Sequence, residues 1–148
     1  MDKKIKHLEM IQNIITRMSG NLFLLKGWAI TLIVALFAFI AKENNGVYML
    51  FAFCILFIFW ILDGFFLSLE KCFRDLYKEV CNKNENEIDF SMNYKKYQKG
   101  KNTWFRSIFS KTLFIFYGTL LFVMIITIIF SKYNVKMNFD IKYKETAN

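Results

Sequence analysis

The chain has 148 residues, of which 55% are hydrophobic and 18 are phenylalanine, too much apolar surface for a soluble core of this size. Its formal charge of +8 would suit a nucleic-acid binder, but no nucleic-acid module is legible, and on so apolar a chain the commoner causes are the positive-inside bias and attraction to anionic lipid. The composition excludes an ordinary soluble domain and points to an all-α membrane protein.

The first stretch, "DKKIKHLEMIQNIITRMS", places apolar residues at Ile5, Leu8, Ile11, Ile15 and Met18, which is helical spacing. Basic residues flank this stripe, so residues 1–20 read as an amphipathic cytoplasmic helix lying on the membrane or packed under the spans. A simple continuation of the first span is the alternative, because only Ser19-Gly20-Asn21 interrupts the pattern.

Residues 21–69 form a transmembrane hairpin. The first run, 22–41, has Lys26 as its only charge; the second, 47–69, has only Asp63. Each approaches the roughly 20 residues that span a bilayer. The first run ends at Lys-Glu-Asn-Asn without a small-residue cleavage site and reads as a retained helix rather than a signal peptide. The "KENNG" connector is long enough only for an antiparallel turn.

Lys26 lies 16 residues before Lys42, and Asp63 lies 16 residues after Val47, so the hairpin brings both to one depth. Trp28 and Trp60 match to within one residue, and Gly27 and Gly64 would let the two backbones approach there. An intramembrane Lys26–Asp63 ion pair that fixes the register is the reading preferred here; a trigger that breaks it would make it a switch. The plain alternative is that Lys26 snorkels to the head groups and Asp63 sits in a wet interface.

Beyond Asp63 the helix does not stop. "FFLSLEKCFRDLYKEVC" continues the stripe through Phe66, Leu69, Phe73, Leu76, Tyr77 and Val80, with Glu70 and Arg74 paired i,i+4 on the other face. This projecting stripe needs cover, from the N-terminal helix or from a second copy, and the oligomer contact is assigned to it. Residues 70–111 are a basic cytoplasmic helix and loop. "NKNENEIDF" reads as the true loop, and Trp104, Phe105, Ile108 and Phe109 among basic residues suit an interfacial segment. A third, uncharged transmembrane helix follows at 112–131. In the 132–148 tail Val135, Met137, Phe139, Ile141 and Tyr143 alternate with polar residues, which predicts a short β-strand that would have to pair with the same strand of another subunit.

Charge sets the topology. Residues 1–20 carry four Lys/Arg, the connector one and residues 70–111 ten, which puts the N-terminus and the 70–111 segment in the cytoplasm and the tail outside. The tail's four lysines argue mildly against that placement.

Catalytic patterns are missing. The one histidine, His7, has no His, Cys or carboxylate cluster beside it, Cys54, Cys72 and Cys81 lack CxxC spacing, and no GxSxG, HExxH, P-loop or GxGxxG occurs. Glu70 and Asp75 lie about 140° apart around a helix and cannot act together. No cofactor or metal is expected, and the chain reads as non-enzymatic.

"HLEMIQNIITRMSGNLFLLKGW", "FWILDGFFLSLEKCFRDLY" and "WFRSIFSKTLFIFYG" together resemble a group of small, mostly uncharacterised bacterial multi-pass membrane proteins, some encoded beside anti-phage signalling genes. The resemblance spans residues 7–118. It implies an inner-membrane effector in anti-phage defence, a homo-oligomer that perturbs or permeabilises the bilayer as a pore, with a cytosolic signalling protein or a small messenger as partner. A messenger site would have to lie in 70–111 or between subunits. The other reading is a passive membrane anchor or regulatory subunit that recruits a cytosolic partner. A holin is disfavoured by the forty-residue segment between spans. Thr31, Thr119 and Thr127 are too few to line an open, water-filled channel.

Overall fold

The computed structural model describes the backbone of residues 2–43 and 47–146 and the side chains of 2–40 and 47–130. The 44–46 turn lies outside the described residues. Four helices follow in order: α1 (Asp2–Glu43), α2 (Val47–Asn82), α3 (Trp104–Ile108) and α4 (Lys111–Thr146). Short 3-10 turns occupy Glu85–Glu87, Lys95–Tyr97 and Gly100–Asn102 in the segment between α2 and α3. Three of the helices are long and apolar enough to cross a membrane. Between 11 and 22% of each apolar window is buried within the chain, which leaves most of each apolar surface facing outward, as suits a membrane. Phe23, Trp28, Val34, Leu50 and Phe51 are among the large side chains left outward-facing.

The separate helix expected at 1–20 is instead the first half of α1, which runs unbroken from Asp2. One glycine at Gly20 costs only about 1 kcal/mol in a helix, less than breaking the backbone ladder would. Ile11 and Ile15 then lie on the stripe of α2, closing a small core with Phe73, Leu76 and Val80. Leu8, Tyr77, Ile88, Met92, Tyr94 and Tyr97 pack around it. Ile88, Met92 and Tyr94 of "EIDFSMNY" therefore serve this core and not a sheet: 88–94 is irregular, with Phe90 at φ 53° and Tyr94 in the helical region, and there is no strand among the described residues.

The N-terminal half of α1, the end of α2 and the 83–110 segment form a cap around this core, and it is tied at its far end. Lys4 Nζ donates to the carbonyls of Cys81 (2.7 Å) and Lys83 (2.9 Å), acceptors that the end of α2 leaves without intrahelical partners.

The chain divides into two compact units, Met1–Phe114 and Ile115–Asn148. In the second unit the backbone is helical through Thr146, so the β-strand expected in the tail is not formed. A lone strand leaves a whole row of backbone groups unpaired, whereas extending α4 satisfies each within the chain. The alternating side chains of the tail lie outside the described residues.

Candidate functional site

At the level of the second span's charge, Lys26 Nζ lies 2.7 Å from Asp63 Oδ2 and also donates to the Leu22 carbonyl at 3.2 Å. Asp63 is fully buried, while Lys26 keeps 23% of its side chain exposed. The pair is thus asymmetric: the carboxylate is shut into the helix packing and the ammonium reaches it from the rim. Burying that carboxylate alone would be costly, and the lysine offsets the cost.

The tryptophans and glycines at this level do different work from the one expected of them. Trp28 is 60% exposed and faces outward. Trp60 donates its indole N–H to the Ile108 carbonyl at 2.9 Å. Gly27 has open space where a Cβ would be, whereas a Cβ on Gly64 would overlap Ile108 Cγ1 and lie 3.0 Å from its Cα. The close approach at Gly64 therefore admits α3 and not α1. Nothing in the hairpin count could reveal this, because α3 comes forty residues later in the chain.

The 97–110 segment is strapped along α2. Ser68 Oγ donates to the Asn102 carbonyl at 2.5 Å, and the Asn102 amide donates to Asp75 at 2.6 Å and to the Tyr97 carbonyl at 3.2 Å. Lys71 Nζ donates to Ser107 Oγ at 3.2 Å, and the Trp104 indole donates to the Ile61 carbonyl at 3.2 Å. Ser68, Asn102 and Ser107 are all buried. In the sequence, Ser68 and Ser107 are marked as single short polar residues inside aromatic, apolar stretches, whereas Asn102 lies in a polar run that hides it.

The residues assigned to an oligomer contact divide. Phe73, Leu76 and Val80 are buried inside the chain by α1 and the 88–97 segment, which corrects that assignment. Phe66, Leu69 and Tyr77 are half-buried. The N-terminal half of α1 is adjacent in the fold and connected by a short hairpin, so it covers the stripe without the entropy loss of association.

On the outer face of the cap, Glu79 accepts from Lys96 (2.6 Å) and from the Tyr97 hydroxyl, with Lys83 at 3.6 Å. These partners pull its carboxyl down to about 2. Asp75 is held below the usual range mainly by the Asn102 amide.

His7 is buried, its Nε2 3.2 Å from the Ser91 carbonyl and its ring against Phe90, which adopts φ 53°. The cleft beside it, lined by Glu79, Lys83, Asp89, Ser91, Asn93 and Lys96, measures about 80 Å³. That is well below the roughly 300–1,000 Å³ of small-molecule sites. Among the described residues no group of three His, Cys, Asp or Glu could hold a metal ion.

No family model, curated protein or solved structure matches the chain. The functional reading therefore rests on geometry.

Proposed function

We propose that this protein is a non-catalytic membrane protein that works through its cap, as an anchor or regulatory subunit holding a cytosolic partner at the bacterial inner membrane. What supports this reading is the closure of the cap core: Phe73, Leu76 and Val80, half of the stripe that a second copy would have covered, are already buried within one chain. A folded, self-contained basic module remains, carrying exposed Lys95 and Lys99, which form no ion pair among the described residues. Positive-inside bias favours the cytoplasm for this module.

One observation favours the second reading, a membrane-perturbing homo-oligomeric effector in anti-phage defence. A charge pair inside the spans is a place where a trigger could separate two helices, and an intramembrane ionisable residue is by default a functional-site hypothesis.

The experiment is expression of the chain alone and with its genomic neighbours, reading membrane potential, dye uptake and co-purification. The anchor reading expects a neighbour to co-purify through the cap, binding to weaken in K95E/K99E, and the potential to hold under every trigger. Depolarisation that needs a neighbour and a trigger would replace it with the effector reading.

A further inference from the structure

The outward-facing apolar side chains of α1 and α2 stop at one level. On α1 the run begins at Phe23 and Leu24, and on α2 it ends at Phe65. Within 2–22 and 66–103 only Ile5, Met10 and Phe90 are large, apolar and exposed. Phe23 comes three residues before Lys26 and Phe65 two after Asp63, so both ends lie within one helical turn of the 2.7 Å ion pair. The next charges toward the cap are Arg17 on α1 and Glu70 on α2. Residues 23–41 and 47–65 are each 19 long, about 28 Å of helix, close to the roughly 30 Å of a hydrocarbon core.

All three tryptophans of the chain gather at this level. Trp28 and Trp60 lie on the apolar side of the ion pair, two and three residues from it. Trp104 arrives from the cap: its indole donates to the Ile61 carbonyl at 3.2 Å, and its ring meets Phe65 edge-on at 6.2 Å. The Trp60 indole donates in return to the carbonyl of Ile108, whose side chain fills the space beside Gly64. These contacts pin α3 along 60–65 of α2, one turn to the apolar side of Ser68.

The outer side of α3 carries exposed Trp104, Phe105 and Phe109, with Phe105 at 74% and its ring 5.6 Å from that of Phe109. Arg106 is exposed among them, and Lys111 is exposed just beyond. Water disfavours such a cluster of rings, and hydrocarbon disfavours the guanidinium. The zone where head groups meet acyl chains suits both. Through Trp104 and Phe65 the aromatic face also continues the outward apolar surface of α2.

We propose that α3 is a membrane-interface element: Trp104, Phe105 and Phe109 insert into the cap-side leaflet, and the hydrocarbon edge crosses the chain within one turn of Lys26 and Asp63. The occupant of the aromatic face is lipid. The second apolar run then leaves the hydrocarbon near Phe65, and Phe66 and Leu69 belong to the cap. Lys26 reaches the head groups from the rim while Asp63 stays enclosed by protein. α3 thus sets the height of the cap above the bilayer, whatever the cap binds.

The first test uses the unaltered full chain in phosphatidylcholine vesicles, because its three tryptophans report one depth. Lipid brominated near the top of its acyl chains should quench their emission more than lipid brominated near the bilayer centre. Equal or stronger quenching by the deep bromine, or none by either, would overturn the proposal. A second test reads α3 alone, in a background lacking Cys54, Cys72 and Cys81, with a spin label on Phe105→Cys. Its collisions with oxygen and with a water-soluble nickel complex should match those of a label on Phe23→Cys. A label on Lys95→Cys should meet nickel far more often. Equal nickel access at 105 and 95 would overturn the proposal, and so would shielding of 105 from both reagents, the mark of a second copy or another protein on this face.

Discussion

Lys26 and Asp63 show how position within the packing sets the worth of a charge. Because Asp63 is fully buried, Lys26→Met strands a carboxylate and should destabilise the hairpin by about 3 kcal/mol, the lower end for a buried pair, since Lys26 is partly exposed. Asp63→Asn should cost less, because the lysine can turn toward the head groups. The exchange Lys26→Asp with Asp63→Lys should recover most of the loss in thermal melts; an exchange no better than the single changes would show that the two do not act as a pair. The glycines predict a contrast. Gly64→Ala forces Ile108 away and should cost about 1–3 kcal/mol. Gly27→Ala meets open space and should be neutral or slightly stabilising, by up to about 1 kcal/mol.

α1 and α2 owe their lengths to each other. Each extends past its apolar run because the projecting halves bury a shared stripe, and Lys4 closes the far end of α2. The 3-10 turn at Lys95–Tyr97 is fastened to α2 mainly through Glu79. Its folded pKa lies below its ordinary value, so its contribution is complete above about pH 4.5 and is lost as the pH falls toward about 2. Tm should therefore decline across that window, and Glu79→Gln should flatten the decline while lowering Tm modestly at neutral pH. The effect is small, since the Glu79 side chain is 36% exposed and so partly screened. A slope unchanged in Glu79→Gln would show that other carboxylates carry the acid sensitivity.

Within residues 1–114 a basic, hydrogen-bonded cap closes the end of two apolar helices, α1 and α2, whose outer faces suit a membrane. If the positive-inside bias governs orientation, then in a background lacking Cys54, Cys72 and Cys81 a cysteine at Asp140 should react with an impermeant maleimide in intact cells. A cysteine at Lys95 should react only after permeabilisation. Labelling of both in intact cells, or of neither, would reject the three-span topology with its cap inside.

The membrane class, the three apolar runs and the equal depth of Lys26 and Asp63 were legible in residue order, because run length, charge count and distance from a turn are local quantities. The backbone of the tail was not. An alternating pattern fits a strand, but with no second strand to pair with, the helix already running from Lys111 satisfies the backbone instead. The partner of Gly64, the cover of Phe73, Leu76 and Val80, and the strap through Asn102 and Ser107 depend on which distant segment reaches each face first. That is decided by the rotation of α1 against α2 and by the path of the 83–110 segment, and neither has a period that can be read along the chain.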